Sequence, residues 1–131
     1  MFNVKEMLAT AIQRGASDVH INVDMPPIMR INTELIVMEL PEISQEMARQ
    51  MVLDMVGPDK LKVFDEKRDL DFSTMLDDGS RFRVNAHWQK ETTAISFRAI
   101  SNKIPNIDDL HLPPIVKELT DLPRGLILVT G

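Results

Sequence analysis

Between residues 69 and 100 the chain alternates polar and apolar residues in three successive runs, which commits this stretch to strands that bury one face and leave the other polar. Leu70 and Phe72 alternate with Asp69, Asp71 and Ser73. After Asp77-Asp78-Gly79, Phe82, Val84, Ala86 and Trp88 alternate with Arg81, Arg83, Asn85, His87 and Gln89. After Lys90-Glu91, Thr93, Ile95, Phe97 and Ala99 take the apolar phase and Ser96 and Arg98 the polar one. Turn residues at both reversals predict a three-stranded antiparallel meander.

The preceding residues supply what could cover its apolar face. Asn3 as N-cap, Glu6 at the capping-box position, and Val4, Met7, Leu8, Ala11 and Ile12 on one side predict a first helix that Gly15 ends. Asp18 to Val23 alternates as a strand, with Val19, Ile21 and Val23 on one side, and Pro26-Pro27 stops it. Residues 28–31 and 35–38 predict a hairpin turning at Asn32-Thr33. Ser44 opens a second helix carrying Met47, Met51 and Met55, which closes at Gly57-Pro58, and a short helix through Leu61 and Phe64 follows. The fold class is therefore α+β, an antiparallel sheet with helices on one face.

Beyond this the composition changes. Residues 101–105 are polar and contain Pro, as a linker does; residues 113–119 predict a short helix; and residues 125–129 are a continuous apolar strand. Such a strand belongs inside a parallel sheet, which nothing earlier in the chain provides. The expected division is a domain over residues 1–103 and, over 104–131, a linker with the first helix and strand of a truncated α/β domain. Leu126, Ile127, Leu128 and Val129 lead through Thr130 into Gly131, the arrangement that opens a phosphate-binding loop, with Gly131 as the first glycine of GxxxxGK[ST]. The lysine and magnesium-binding hydroxyl of that motif lie past Gly131, so the chain alone is expected neither to hydrolyse ATP nor to hold a cofactor. Without that sheet, residues from about 106 onward are expected either to be mobile or to dock on another copy, giving a dimer or higher oligomer.

A net charge of -5 and a pI near 5.1 argue against a nucleic-acid binder. There is no Cys, which excludes disulfides and thiolate chemistry. No apolar run reaches the ~20 residues that span a bilayer, and no basic-then-apolar leader opens the chain, so direct membrane insertion and secretion are not expected. His20, His87 and His111 have no ligand-spaced partner, and the acidic run from Asp65 to Asp71 lacks calcium-loop spacing, so no metal site is expected.

The polar face of the meander is the candidate site. With Lys90-Glu91 as a two-residue turn, Arg83 falls directly opposite Arg98, a like-charge pair that needs an anion. Asp69 and Asp71 could supply it, since Asp71 then faces Asn85 diagonal to Arg83. Alternatively Arg81, Arg83 and Arg98 point at an external phosphate.

Gly15-Ala16-Ser17-Asp18-Val19-His20-Ile21, Pro26-Pro27-Ile28-Met29-Arg30-Ile31, Arg81-Phe82-Arg83-Val84-Asn85, Phe97-Arg98-Ala99-Ile100 and the run from Pro123 to Gly131 together resemble, in order, the motifs of bacterial type IV pilus and secretion ATPases. The first of these motifs starts so early that the chain is most similar to the pilus-retraction, twitching-motility branch. Two turns depart from the family pattern, Asn32-Thr33 in place of Asp-Gly and Glu91-Thr92 in place of Arg-Gly. The resemblance implies a PAS-like domain joined to a RecA-like motor domain, using ATP and magnesium in the full-length protein. It also implies a cytoplasmic homohexamer that reaches the inner membrane through the pilus platform protein. Arg81, Arg83 and Arg98 would then approach the phosphates of a nucleotide on a neighbouring subunit, with Thr130 and Gly131 at the nucleotide loop. A pilus-assembly or type II secretion ATPase is the alternative within the family, and a stand-alone PAS-like sensory domain the alternative outside it.

Overall fold

The computed structural model of the chain describes residues 3–101 and 104–131. A six-stranded antiparallel sheet, in the order β3-β2-β1-β6-β5-β4, carries the architecture. Its strands are β1 (Asp18–Ile21), β2 (Ile28–Ile31), β3 (Glu34–Val37), β4 (Asp69–Met75), β5 (Arg81–Gln89) and β6 (Thr92–Ile100). The first and last strands meet at the centre, so the ends of the domain are stitched together across about 80 residues of chain, Asp18 opposite Arg98.

Helix α1 (Val4–Gln13) starts where Asn3 Oδ1 accepts from the backbone amides of Lys5 and Glu6. It stops at Gly15, at φ 76°, whose amide and that of Ala16 close the last turn onto Ile12 and Ala11. Helix α2 (Gln45–Lys67) begins at Ser44. It is two helical stretches across a break at Gly57 (φ 79°, ψ 172°) and Pro58, where the sequence places a helix end.

Both helices cover the same face of the sheet. Met7, Leu8 and Ala11 of α1 and Ala48, Met51, Val52, Leu61 and Phe64 of α2 share one core with Val19, Ile21, Met29, Phe82, Val84, Ala86, Ile95 and Phe97. Phe82 and Phe97 meet edge to face, 6.4 Å between centroids. The buried Thr93 binds the start of α2 twice, its amide donating to Gln45 Oε1 at 2.9 Å and its hydroxyl accepting from Gln45 Nε2 at 3.2 Å. The polar phase of β1, β4, β5 and β6 is thereby turned to the other face, which neither helix covers.

Both short hairpins turn through residues held at positive φ. Asn32 and Thr33 lie at 46° and 74°, Lys90 and Glu91 at 47° and 67°. This double left-handed turn matches the sheet twist. The register it sets in the second hairpin is the one the sequence predicts, Arg83 opposite Arg98. Neither turn contains glycine, and both hairpins form.

The segment after β6 corrects one expectation. Residues 107–110 form a 3-10 turn and α3 (Ile115–Thr120) forms as predicted, but residues 125–129 are not a strand and pair with nothing. A strand needs a neighbour to satisfy its amides, and this segment pairs with no strand of the sheet. None of residues 104–131 is buried, and Leu126 and Val129 are 83% and 95% exposed. The expected domain boundary at residue 103 lies outside the described residues. Among the described residues, no helix is long and apolar enough to cross a membrane.

Candidate functional site

The open face of the sheet is organised by strand register. Leu35, Arg30, Asp18, Arg98, Arg83 and Ser73 are successive partners on six neighbouring strands, a row running straight across the sheet. Ile28, His20, Ser96, Asn85 and Asp71 form the row beside it. Arg81 lies on the other side of the first row, between Met75 and Ile100. Three arginines thus share one line, with a fourth adjacent.

One carboxylate serves the centre of that line. Asp18, 9% exposed, accepts from Arg98 Nε at 2.9 Å through Oδ1 and from the Ser17 hydroxyl at 2.8 Å through Oδ2. Arg30 Nε stands 3.8 Å from the same Oδ2. Burial pushes the Asp18 carboxyl upward, but the hydrogen bonds from Arg98 and Ser17 and the Arg98 charge outweigh it and hold the group below its ordinary value. Burial also lowers the His20 pKa, against the pull of Asp18. His20 Nδ1 is 3.4 Å from the Ser96 hydroxyl, while Nε2 is buried without a partner.

The expected role of Asp69 and Asp71 is not what the side chains do. Asp71 does face Asn85, as the sequence predicts, but both carboxylates accept from Asn85 Nδ2, at 2.8 and 3.4 Å, and neither pairs with Arg83. Among the described residues Arg81 and Arg83 are exposed and have no ion-pair partner. Of the three predicted arginines, the sheet therefore brings Arg83 and Arg98 directly together, sets Arg81 beside them, and neutralises only Arg98. Thr130 and Gly131 lie in the exposed segment after α3 and are not part of this face.

Sequence reasoning missed Asp18 and Arg30 as members of the site. Their polar phase within β1 and β2 was the available signal, but their adjacency to Arg98 depends on β1 pairing with β6, which nothing local encodes. Among the described residues no group of His, Asp or Glu is placed to hold a metal ion.

No family model matches the chain. It is 33% identical over 129 residues to the type IV pilus retraction ATPase PilT of Pseudomonas aeruginosa, covering 98% of this chain and 38% of that one. To the type IV pilus ATPase PilU of the same organism it is 29% identical over 127 residues, 97% of this chain and 33% of the other. A crystal structure of the pilus retraction motor PilT with bound ADP superposes with a TM-score of 0.76 at 26% identity, over 91% of this chain and 35% of that one. The chain thus spans little more than a third of its relatives' length. It corresponds to the N-terminal portion of the type IV pilus and secretion ATPase family that includes PilT and PilU.

Proposed function

We propose that the chain is a non-catalytic module of an ATP-driven type IV pilus retraction motor, which lends its open sheet face to a nucleotide held by a neighbouring subunit. On this reading residues 1–103 are a PAS-like domain, and residues 104–131 are the linker and opening of a RecA-like motor domain whose sheet covers the apolar residues 126–129. Thr130 and Gly131 begin the nucleotide loop of that domain, which binds ATP and magnesium. The working assembly is a cytoplasmic homohexamer docked at the inner membrane through the pilus platform protein.

The observation that carries the reading is the like-charge pair at the centre of the open face. Arg83 is exposed, stands opposite Arg98, and has no ion-pair partner among the described residues. Two guanidinium groups held side by side cost stability unless an anion joins them, and a phosphoryl group in transfer is an anion whose charge arginines stabilise. Replacing Arg83 by Ala in the full-length protein should lower kcat by about 10-fold or more. Unchanged turnover together with a lower melting temperature would show that Arg83 serves only the fold.

Retraction is preferred to a pilus-assembly or secretion role because the more similar of the two relatives is a retraction ATPase. A stand-alone sensory domain has one feature in its favour, an open groove of about 640 Å³ beside α1 lined by Met7, Met38, Leu40 and Met47. Saturable binding of a small apolar ligand there, abolished by Met47→Trp, would support it.

A further inference from the structure

Four arginines share the open face, yet they are not equivalent. Arg98 is tied by a 2.9 Å hydrogen bond to a carboxylate whose side chain is 11% exposed, although its own side chain is 76% exposed. Arg30 stands against the same carboxylate at 3.8 Å. Asp18 cannot turn away, because its second oxygen is held by Ser17 at 2.8 Å and its strand is central in the sheet. A charge-assisted pair at a partly buried carboxylate is among the stronger polar contacts a protein makes. An incoming anion that recruits Arg98 must therefore compete with Asp18. Arg83, one strand further along the same row, has no such competitor among the described residues.

We propose that Asp18 is a positioning residue that sorts these arginines: it withholds Arg98 and Arg30 from an incoming phosphoryl anion and leaves Arg83, flanked by Arg81, as the group that binds first. The inference rests on the reading of this face as a phosphate-facing surface and refines it. It also gives the negative charge of Asp18 a second effect. By its proximity it lowers the affinity of the whole row for anions, so that the face binds a free phosphoryl anion weakly and engages it more strongly when a neighbouring subunit presents it. Arg98 is then a reserve cation, released from Asp18 only when the anion approaches closely enough to outbid the carboxylate.

The test uses this chain and inorganic pyrophosphate, followed through the arginine side-chain Nε–Hε resonances by NMR. Without ligand, Arg98 should give a sharp, exchange-protected Nε–Hε signal that Asp18→Asn abolishes, and Arg83 an exchange-broadened one. On titration, Arg83→Ala should weaken pyrophosphate binding about 10-fold, the loss of one charge-assisted contact. Arg98→Ala should weaken it by less than about threefold, and Asp18→Asn should tighten it by about threefold, as removal of a unit charge at this range predicts. Equal losses in Arg83→Ala and Arg98→Ala, or weaker binding in Asp18→Asn, would overturn the sorting while leaving the phosphate-facing reading intact. Saturable binding untouched by any of these changes, or no saturable binding by the unaltered chain, would overturn the phosphate-facing reading itself. Should Asp18→Asn fail to fold, the comparison of the two arginine variants decides alone.

Discussion

The two faces of one sheet make the most instructive contrast in this molecule. The same strands present Val19, Ile21, Phe82, Val84, Ile95 and Phe97 to one side and Asp18, His20, Arg83, Asn85, Ser96 and Arg98 to the other. On the covered face neighbours are interchangeable in kind, since any apolar side chain of suitable volume gains from burial. On the open face they are not, because each charge depends on which charge lies beside it. The covered face therefore sets stability, and the open face sets what the domain can engage.

The contrast is sharpest in a stability series. Phe97 is fully buried and packs edge to face on Phe82, so Phe97→Ala should cost about 3–5 kcal/mol, read by chemical denaturation. Arg83→Ala on the same sheet should leave stability within about 0.5 kcal/mol, since it removes a like-charge neighbour of Arg98 and no ion pair. If both variants lose comparable stability, the division between the faces fails.

A smaller effect comes from the turn that orients the β2–β3 edge. Thr33 is β-branched and exposed at φ 74°, a conformation that glycine adopts without strain. Thr33→Gly should stabilise the domain by about 1 kcal/mol in thermal melts. A loss of stability would show that Thr33 makes a contribution its backbone does not reveal.

The pH dependence should come from the open face and be smaller still for each group. Asp18 has a lowered pKa in the fold, so its contribution is present above its ordinary value of 3.8 and is lost as pH falls through the folded value. His20 is also lowered, so protonation favours the unfolded chain: stability should fall as pH drops below 6.5 and level off beneath the folded value. His20→Asn should flatten the first limb and Asp18→Asn the second. A profile unchanged by either variant would show that these groups do not feel the environment described here.

Much of this was legible in the chain, and the parts that were not share a cause. The meander, its turns and the Arg83/Arg98 pairing follow from period-two alternation and a two-residue reversal, both local signals. The pairing of β1 with β6 is not local, so no local signal points to Asp18 as the carboxylate that compensates Arg98, and Asp69 and Asp71, the candidate partners for the arginines, accept from Asn85 instead. The apolar run at residues 126–129 reads as a strand because composition reports burial, but a strand also needs a neighbour, and this chain offers it none.

The central claim, that Arg83 acts on a nucleotide bound by another subunit, is tested most directly by mixing two impaired full-length variants. One carries Arg83→Ala; the other lacks the phosphate-loop lysine of its motor domain. In mixed oligomers some intact loops meet an intact Arg83 from a neighbour, so ATP turnover should rise well above the sum of the two variants measured separately. Turnover that stays at that sum across all mixing ratios, with mixed oligomers confirmed by mass, would contradict the account.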